Sequence, residues 1–312
     1  MKNDPVAVSF YDLERICEIN FNKHKYYWHL YTDGRSSDII FRDASEMKVG
    51  MNLMAIASVS YSDVKVLTHA LMNNHLHMIL IGQKERCVDL FMMFKARLWK
   101  YFSRNGRVID MHKFQCQMIE IASLQSLRNE LVYVNRNGYV VRADCTPFSY
   151  PWSAGAYFFN PFLNLIPSIR LDDLSIKAKR LICRSNDVMP GGNLYVYDDV
   201  ILPSSYCDIA TAESFFRSAH HYFQCLTKRY EAYGEIAARL HETIFLPDEE
   251  LYPAVCALCT KLYGLKNPGL LNVKDRIDLA KKIKQDYNAS NRQIKSILKL
   301  DPSVVDELFP NV

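Results

Sequence analysis

The chain predicts an α+β fold. Short strand-like runs rich in apolar residues recur four times before residue 122, stretches with helical spacing separate them, and the later part of the chain reads as successive helices. The first strand is expected over 26–32 and the first helix over 43–58. A hairpin follows, with strands over 64–72 and 75–81. Asn73-Asn74 makes its turn, because Asn tolerates the positive φ of a tight hairpin. Leu76, Met78 and Leu80 alternate toward a core, and Val64, Val66 and Leu67 belong to the partner strand. A second helix is expected over 86–103 and a fourth strand over 113–121.

The resulting order is β-α-β-β-α-β, the ferredoxin-like pattern of an antiparallel sheet with helices. A further helix is appended to it: Ser123 is its N-cap, Leu124, Leu127 and Leu131 repeat at helical spacing, and Gly138 reads as its stop. After Trp152 the character changes to an aromatic, proline-containing linker at Tyr157 to Phe162, so a first domain is placed at 1–158. Residues 159–265 read as a mostly helical middle region, with a long amphipathic stretch near 211–231. In the last segment, 266–312, a basic helix (Val273 to Gln285), a second helix (Arg292 to Leu298) and a third capped by Asp301-Pro302-Ser303 have the spacing of a helix-turn-helix. Its last helix carries Asp306 and Glu307 and no base, so base reading there falls to Arg292, Gln293 and Lys295, with a helix bundle that packs and does not touch DNA as the alternative.

At 312 residues with 49% hydrophobic and 23% charged residues, the composition is that of an ordinary globular protein with room for more than one domain. A net charge of only +4 means that any nucleic-acid surface must come from local clustering. Such a cluster lies on the second helix, where Lys95, Arg97, Lys100 and Arg104, with Arg107 just beyond, are interleaved with Trp99, Tyr101 and Phe102. Nine cysteines without framework spacing read as reduced thiols, and Cys256-Ala257-Leu258-Cys259 lacks the second pair of a zinc site. The sequence has no signal-peptide pattern and no run long enough to span a membrane, so a cytoplasmic protein with no membrane partner is expected.

Two groups of residues carry legible chemistry. In His75-Leu76-His77, strand alternation puts both imidazoles on one face, where they can share a metal ion. Tyr133 and Asn137 are i and i+4 near the end of the appended helix and so share a face of its last turn. Read from the residues alone, the first pair is equally a solvent-facing histidine pair, whereas a tyrosine placed like the second is core or surface filler in most proteins.

Together these stretches resemble the single-tyrosine transposases of the HUH nuclease superfamily, particularly the REP-associated tyrosine transposases. That family carries a Met-Pro-Asn-His-hydrophobe-His strand, matched by Met72 to His77 with Asn73 in place of Pro. Its Tyr-Ile-x-x-Asn-Pro helix end and Tyr-Pro-Trp-Ser segment are matched by Tyr133-Val134-Asn135-Arg136-Asn137-Gly138 and by Tyr150-Pro151-Trp152-Ser153. Tyr27-Trp28-His29-Leu30 and Ile40-Phe41-Arg42-Asp43 look like the family's first strand and the start of its first helix. The resemblance covers roughly residues 26–158, half of the chain.

What the resemblance implies is a metal-dependent nuclease and strand transferase acting on single-stranded or hairpin DNA, as a monomer or a homodimer. Tyr133 is then the nucleophile, in preference to Tyr101 and Tyr139, and the product is a 5′-phosphotyrosine beside a free 3′-hydroxyl. His75, His77 and the Asn137 amide oxygen are the expected metal ligands, a mixed nitrogen and oxygen set that suits Mg²⁺ or Mn²⁺. Glu130, one turn before Tyr133, reads as an exposed acid in a helix pair, with a general base as the alternative. The competing readings are a non-cleaving DNA-binding protein that keeps this fold, and a zinc hydrolase that uses the His pair without a covalent step.

Overall fold

The computed structural model describes residues 10–34, 39–140, 146, 148–185, 193–228, 230–240, 242, 246 and 248–310. The chain divides into two compact units, 1–226 and 227–312, so the division falls between the boundaries expected at 158 and 265.

The first unit opens with helix α1 (Phe10–Asn22), which the sequence reading did not anticipate. There follow β1 (Tyr27–Thr32), α2 (Ala44–Ser60), the hairpin β2 (Lys65–Leu71) and β3 (Leu76–Ile81), α3 (Lys84–Arg104), β4 (Cys116–Glu120) and α4 (Leu124–Val140). The four strands form one antiparallel sheet in the order β2-β3-β1-β4, so β1 and β3 are its central strands. Asp43 starts α2 by accepting the backbone N–H groups of Ser45 and Glu46, and Ser123 starts α4 by accepting that of Ser126. The hairpin turn lies where expected, but neither Asn73 nor Asn74 takes the positive φ the sequence suggested; instead the Asn73 carbonyl accepts the backbone N–H groups of Ile40 and Phe41, tying the turn to the segment before α2.

Alternation along the central strands sorts the residues between two faces. Leu30, Leu76, Met78 and Leu80 join Met51, Met54, Phe91, Phe94 and Leu98 in one core beneath α2 and α3. Neighbours of opposite phase, His29 and Tyr31 on β1 and His77 on β3, face the other way, toward α4. Helix α4 is anchored there by its own polar side chains. Asn135 accepts from the Thr68 hydroxyl on β2 and donates to the Tyr222 hydroxyl, while Arg128 donates to Glu14 of α1 and to the Phe215 carbonyl.

The middle region, expected to be mostly helical, also contains short strands. A second, three-stranded sheet forms from β5 (Ile169–Arg170), β6 (Tyr195–Tyr197) and β7 (Val200–Ile201), with α5 (Ile176–Cys183) between its first two strands. Its apolar side packs with Ala55 and Ile56 of α2, so this region extends the first unit. Strands of two or three residues are too short to show alternation in a sequence. The amphipathic stretch expected near 211–231 is broken into α6 (Ile209–Glu213), α7 (Ala219–Lys228) and the start of the next helix.

The second unit is helical: α8 (Tyr230–Arg239), α9 (Asp248–Tyr263), α10 (Val273–Tyr287), α11 (Asn291–Leu298) and α12 (Pro302–Leu308). Ser290 and Gln293 form a capping box at the start of α11, and Asp301 caps α12. Arg292 and Lys295 are ion-paired with Asp248 and Asp306, at 2.8 Å each, so DNA contact by either would first have to break that pair. Among the described residues every cysteine is a free thiol, and no helix is long and apolar enough to cross a membrane.

Gly138 corrects one reading of the sequence. It does not stop α4, which continues to Val140; it is needed because the Tyr150 ring lies directly against its Cα, where a Cβ would collide with ring carbons. Tyr150 is held by donating its hydroxyl to the Leu71 carbonyl at 2.8 Å. Gly138→Ala is therefore expected to destabilise the first unit by about 1–3 kcal/mol, despite the better helix propensity of Ala. In a Tyr150→Ala background the same change should cost little, and a urea double-mutant cycle without that coupling would reject the contact.

A buried histidine sets an acid limit on this unit. His69 of β2 is 1% exposed and shares a 2.8 Å hydrogen bond between its Nε2 and the Tyr206 hydroxyl. Burial depresses its pKa to about 3, while the phenol of Tyr206 and the thiol of Cys207 are pushed upward by the same apolar surroundings. The unfolded chain therefore binds a proton near the ordinary imidazole pKa that the fold does not bind until far lower pH. Stability from this group is complete above about pH 6.5 and falls by about 1.4 kcal/mol per unit as pH drops toward 3. Because Trp28, Trp99 and Trp152 all lie in the first unit, tryptophan fluorescence in urea reports its unfolding. Between pH 6 and 4 the His69→Gln variant should show a pH slope shallower by about that amount. Equal slopes would mean that His69 is protonated in the fold.

Candidate metal and nucleophile site

The site is built where β3 leaves the hairpin turn and α4 crosses the central strands. His75 lies just before β3 and His77 within it, two residues apart, so their rings project from the same face. Their centroids are 5.2 Å apart and their planes nearly perpendicular, at 89°. His77 is fully buried and His75 partly exposed. Across the sheet, the Tyr133 ring approaches His77 edge-on at 5.8 Å and His29 at 6.2 Å, while Tyr31 stacks beside His77 at 6.4 Å. Tyr133 is itself 4% exposed.

Hydrogen bonds fix which nitrogen of His75 holds the proton, and for His77 they do so for a given charge of His29. His75 Nδ1 lies 2.7 Å from the Asn74 side-chain oxygen, and the Asn74 amide nitrogen donates to the Gly34 carbonyl at 2.7 Å, which sets the orientation of that amide. An amide oxygen only accepts, so His75 Nδ1 carries the hydrogen and Nε2 the lone pair. For His77 the reasoning runs through a second imidazole. Glu130 Oε2 is 2.7 Å from His29 Nδ1, and His29 Nε2 is 3.0 Å from His77 Nδ1. With Glu130 as a carboxylate and His29 neutral, His29 donates from Nδ1 and accepts at Nε2. His77 then donates from Nδ1 and keeps its lone pair on Nε2.

With His29 neutral, both candidate ligands present the same nitrogen, Nε2, as a base, with Nδ1 oriented from behind. Metal-binding histidines are commonly held in this way. The donor set therefore fits a divalent cation, with His75 and His77 as the nitrogen ligands.

Three residues that hold the site were missed or misjudged in the sequence. Glu130 is not an exposed acid in a helix pair; it is 1% exposed and bonded to His29. His29, fully buried on β1, lies between Glu130 and His77. Gly34 closes against His75, whose ring a Cβ there would meet at 2.8 Å. The only sequence signal was the phase of β1, in which His29 and Tyr31 alternate with the apolar Trp28 and Leu30.

Of the residues singled out beforehand, His75, His77 and Tyr133 are brought together. Asn137 follows Tyr133 by four residues on the same stripe of α4 and is half-buried. The Tyr139 side chain lies outside the described residues. Tyr101 belongs to α3, on the other face of the sheet, where its ring carries the Arg184 guanidinium. The chain matches no family model, no curated protein and no solved structure.

Proposed function

We propose that this chain is a divalent-metal-dependent single-strand DNA endonuclease and strand transferase of the HUH single-tyrosine kind, on a ferredoxin-like domain. The observation that carries this reading is the juxtaposition of Tyr133 with the His75–His77 pair, both imidazoles presenting Nε2. The β-α-β-β-α-β order of the elements from β1 to β4, with β1 and β3 central in the sheet, supports the ferredoxin-like part of the reading. The order of the motifs along the chain supports the transposase part.

In this reading the Tyr133 oxygen attacks a backbone phosphorus. A bond from that oxygen to phosphorus forms, the bond from phosphorus to the 3′ oxygen breaks, and the released 3′ oxygen takes up a proton. The phenolic proton must leave as the attack proceeds, since an unperturbed phenol has a pKa near 10. A divalent cation held by His75 and His77, with the Asn137 amide oxygen as third ligand, would supply positive charge beside the phosphate oxygens. Glu130 and His29 fix the tautomer and tilt of His77. Helix α4 carries both Glu130 and Tyr133, so one rigid element aligns the nucleophile with the support of the ligand. The ester formed conserves bond energy, so a second 3′-hydroxyl can reverse the step and join strands without a nucleotide cofactor.

The direct test is incubation with Mg²⁺ or Mn²⁺ and hairpin DNA drawn from the flanks of its own coding sequence. A protein–DNA adduct that survives denaturation is expected, and chelation should abolish it. Cleavage that persists in excess chelator would reject the metal, and DNA binding with no adduct under any metal would leave a binding protein on the same fold.

A further inference from the structure

On the sheet face away from Tyr133, α3 and α5 enclose an open cavity of about 570 Å³. Among the described residues that line it, five are cationic (Arg97, Lys100, Arg104, Arg180 and Arg184) and none is acidic. Helical spacing puts the first three on one stripe of α3, while Lys95 points elsewhere, toward Cys116. Arg180 lies in the last turn of α5, and Arg184 ends that helix in the left-handed conformation at φ 49°. Other cations of this unit are matched by carboxylates: Arg42 and Arg107 by Glu46, Arg86 by Asp63, Arg128 by Glu14 and Lys65 by Asp208. Among the described residues the five groove cations have no such ion pair. Concentrating five like charges in one concavity costs free energy unless an anion enters it.

We propose that this groove is a binding site for the phosphodiester backbone of paired DNA, independent of base sequence. Arg97 and Arg104 are seven residues apart, about 10 Å along the helix, which spans about three phosphates of one strand. Single-stranded DNA is held in large part by bases stacking on open aromatic faces. Tyr101, the one aromatic ring among the described lining residues, already carries the Arg184 guanidinium at 5.2 Å from its centroid. The groove therefore offers charge without a stacking platform, which suits a duplex backbone. Arg180 and Arg184 come from the region beyond the transposase-like segment. The choice of DNA as the polyanion rests on the proposed function, but the groove needs neither metal nor Tyr133.

The test measures anisotropy of a labelled 20-base-pair duplex, its scrambled sequence and a single strand of equal length across 50–200 mM salt. Co-sedimentation with vesicles containing phosphatidylserine runs in parallel. The Arg180→Ala/Arg184→Ala variant should lose more than about tenfold in duplex affinity at 100 mM salt, and its salt slope should fall by about 1.8. A Lys266→Ala/Lys274→Ala control, which also removes two charges, should stay within about twofold. An Arg180→Lys/Arg184→Lys variant should recover most of the affinity, since a backbone phosphate accepts a point charge. That recovery separates charge from the packing of Arg184 on Tyr101. The proposal is overturned if the alanine variant matches the control, if the lysine variant binds as poorly as the alanine one, if scrambling matters, if single strands suffer the larger loss, or if vesicles but not duplex are bound. Adduct formation on a single-stranded oligonucleotide is scored in the same preparations. An adduct without groove-dependent duplex binding rejects this proposal alone, and the converse rejects the catalytic reading alone.

Discussion

Tyr133→Phe is expected to abolish the covalent protein–DNA adduct and to lower strand cleavage by at least about a thousandfold, because removing an activated nucleophile removes the whole covalent route. The change deletes one oxygen and preserves the ring that packs edge-on against His77 and His29. Thermal unfolding and duplex affinity should therefore stay close to those of the unmodified protein. Gel analysis after denaturation, followed by peptide mapping of any adduct, reads the outcome. An adduct that persists in the variant and maps to Tyr101 or Tyr139 would show that another tyrosine is the nucleophile. Cleavage that continues at the original rate with no adduct would instead support hydrolysis by water at the His pair.

How much of this could be read in the sequence depended on whether a feature was periodic. The four strands, α3 and the appended α4 were legible because each runs long enough to show period 2 or 3.6. Alternation alone put His75 and His77 on one face, and an i, i+4 spacing gave the Tyr133–Asn137 stripe. The supporting groups were not legible in the same way. His29 and Glu130 are 101 residues apart, and His29 and His77 are 48 apart, so only folding makes them neighbours. A histidine between Trp28 and Leu30 carries no local sign of its partner. Gly138 misled for a related reason: at a helix end glycine usually signals a stop. Here the constraint is the ring of Tyr150, twelve residues on and invisible to any local rule. The groove cations were half visible, since Arg97, Lys100 and Arg104 share one helix. Arg180 and Arg184 join them only through the packing of α5 beside α3.

The second large effect is expected at the buried chain from Glu130 through His29 to His77. His77→Ala should remove measurable Mn²⁺ binding in titration calorimetry, because it deletes one of the two proposed nitrogen ligands. His29→Phe keeps a ring in the same space but cannot accept from His77 Nδ1. It should weaken Mn²⁺ by about 10–100-fold, the usual consequence of losing the partner that orients a ligating imidazole. Glu130→Gln keeps an oxygen able to accept from His29 Nδ1 and removes the charge, so its loss should be smaller than that of His29→Phe. Glu130→Ala leaves the buried His29 Nδ1–H without its acceptor and should in addition cost about 1–3 kcal/mol of stability. Long-range ¹⁵N spectra of the metal-free protein give an independent reading, since His77 should carry its proton on Nδ1. Were the proton found on Nε2, with Mn²⁺ affinity unchanged in His29→Phe, the chain would be a packing feature of the sheet. A metal site would then have to be sought without His77.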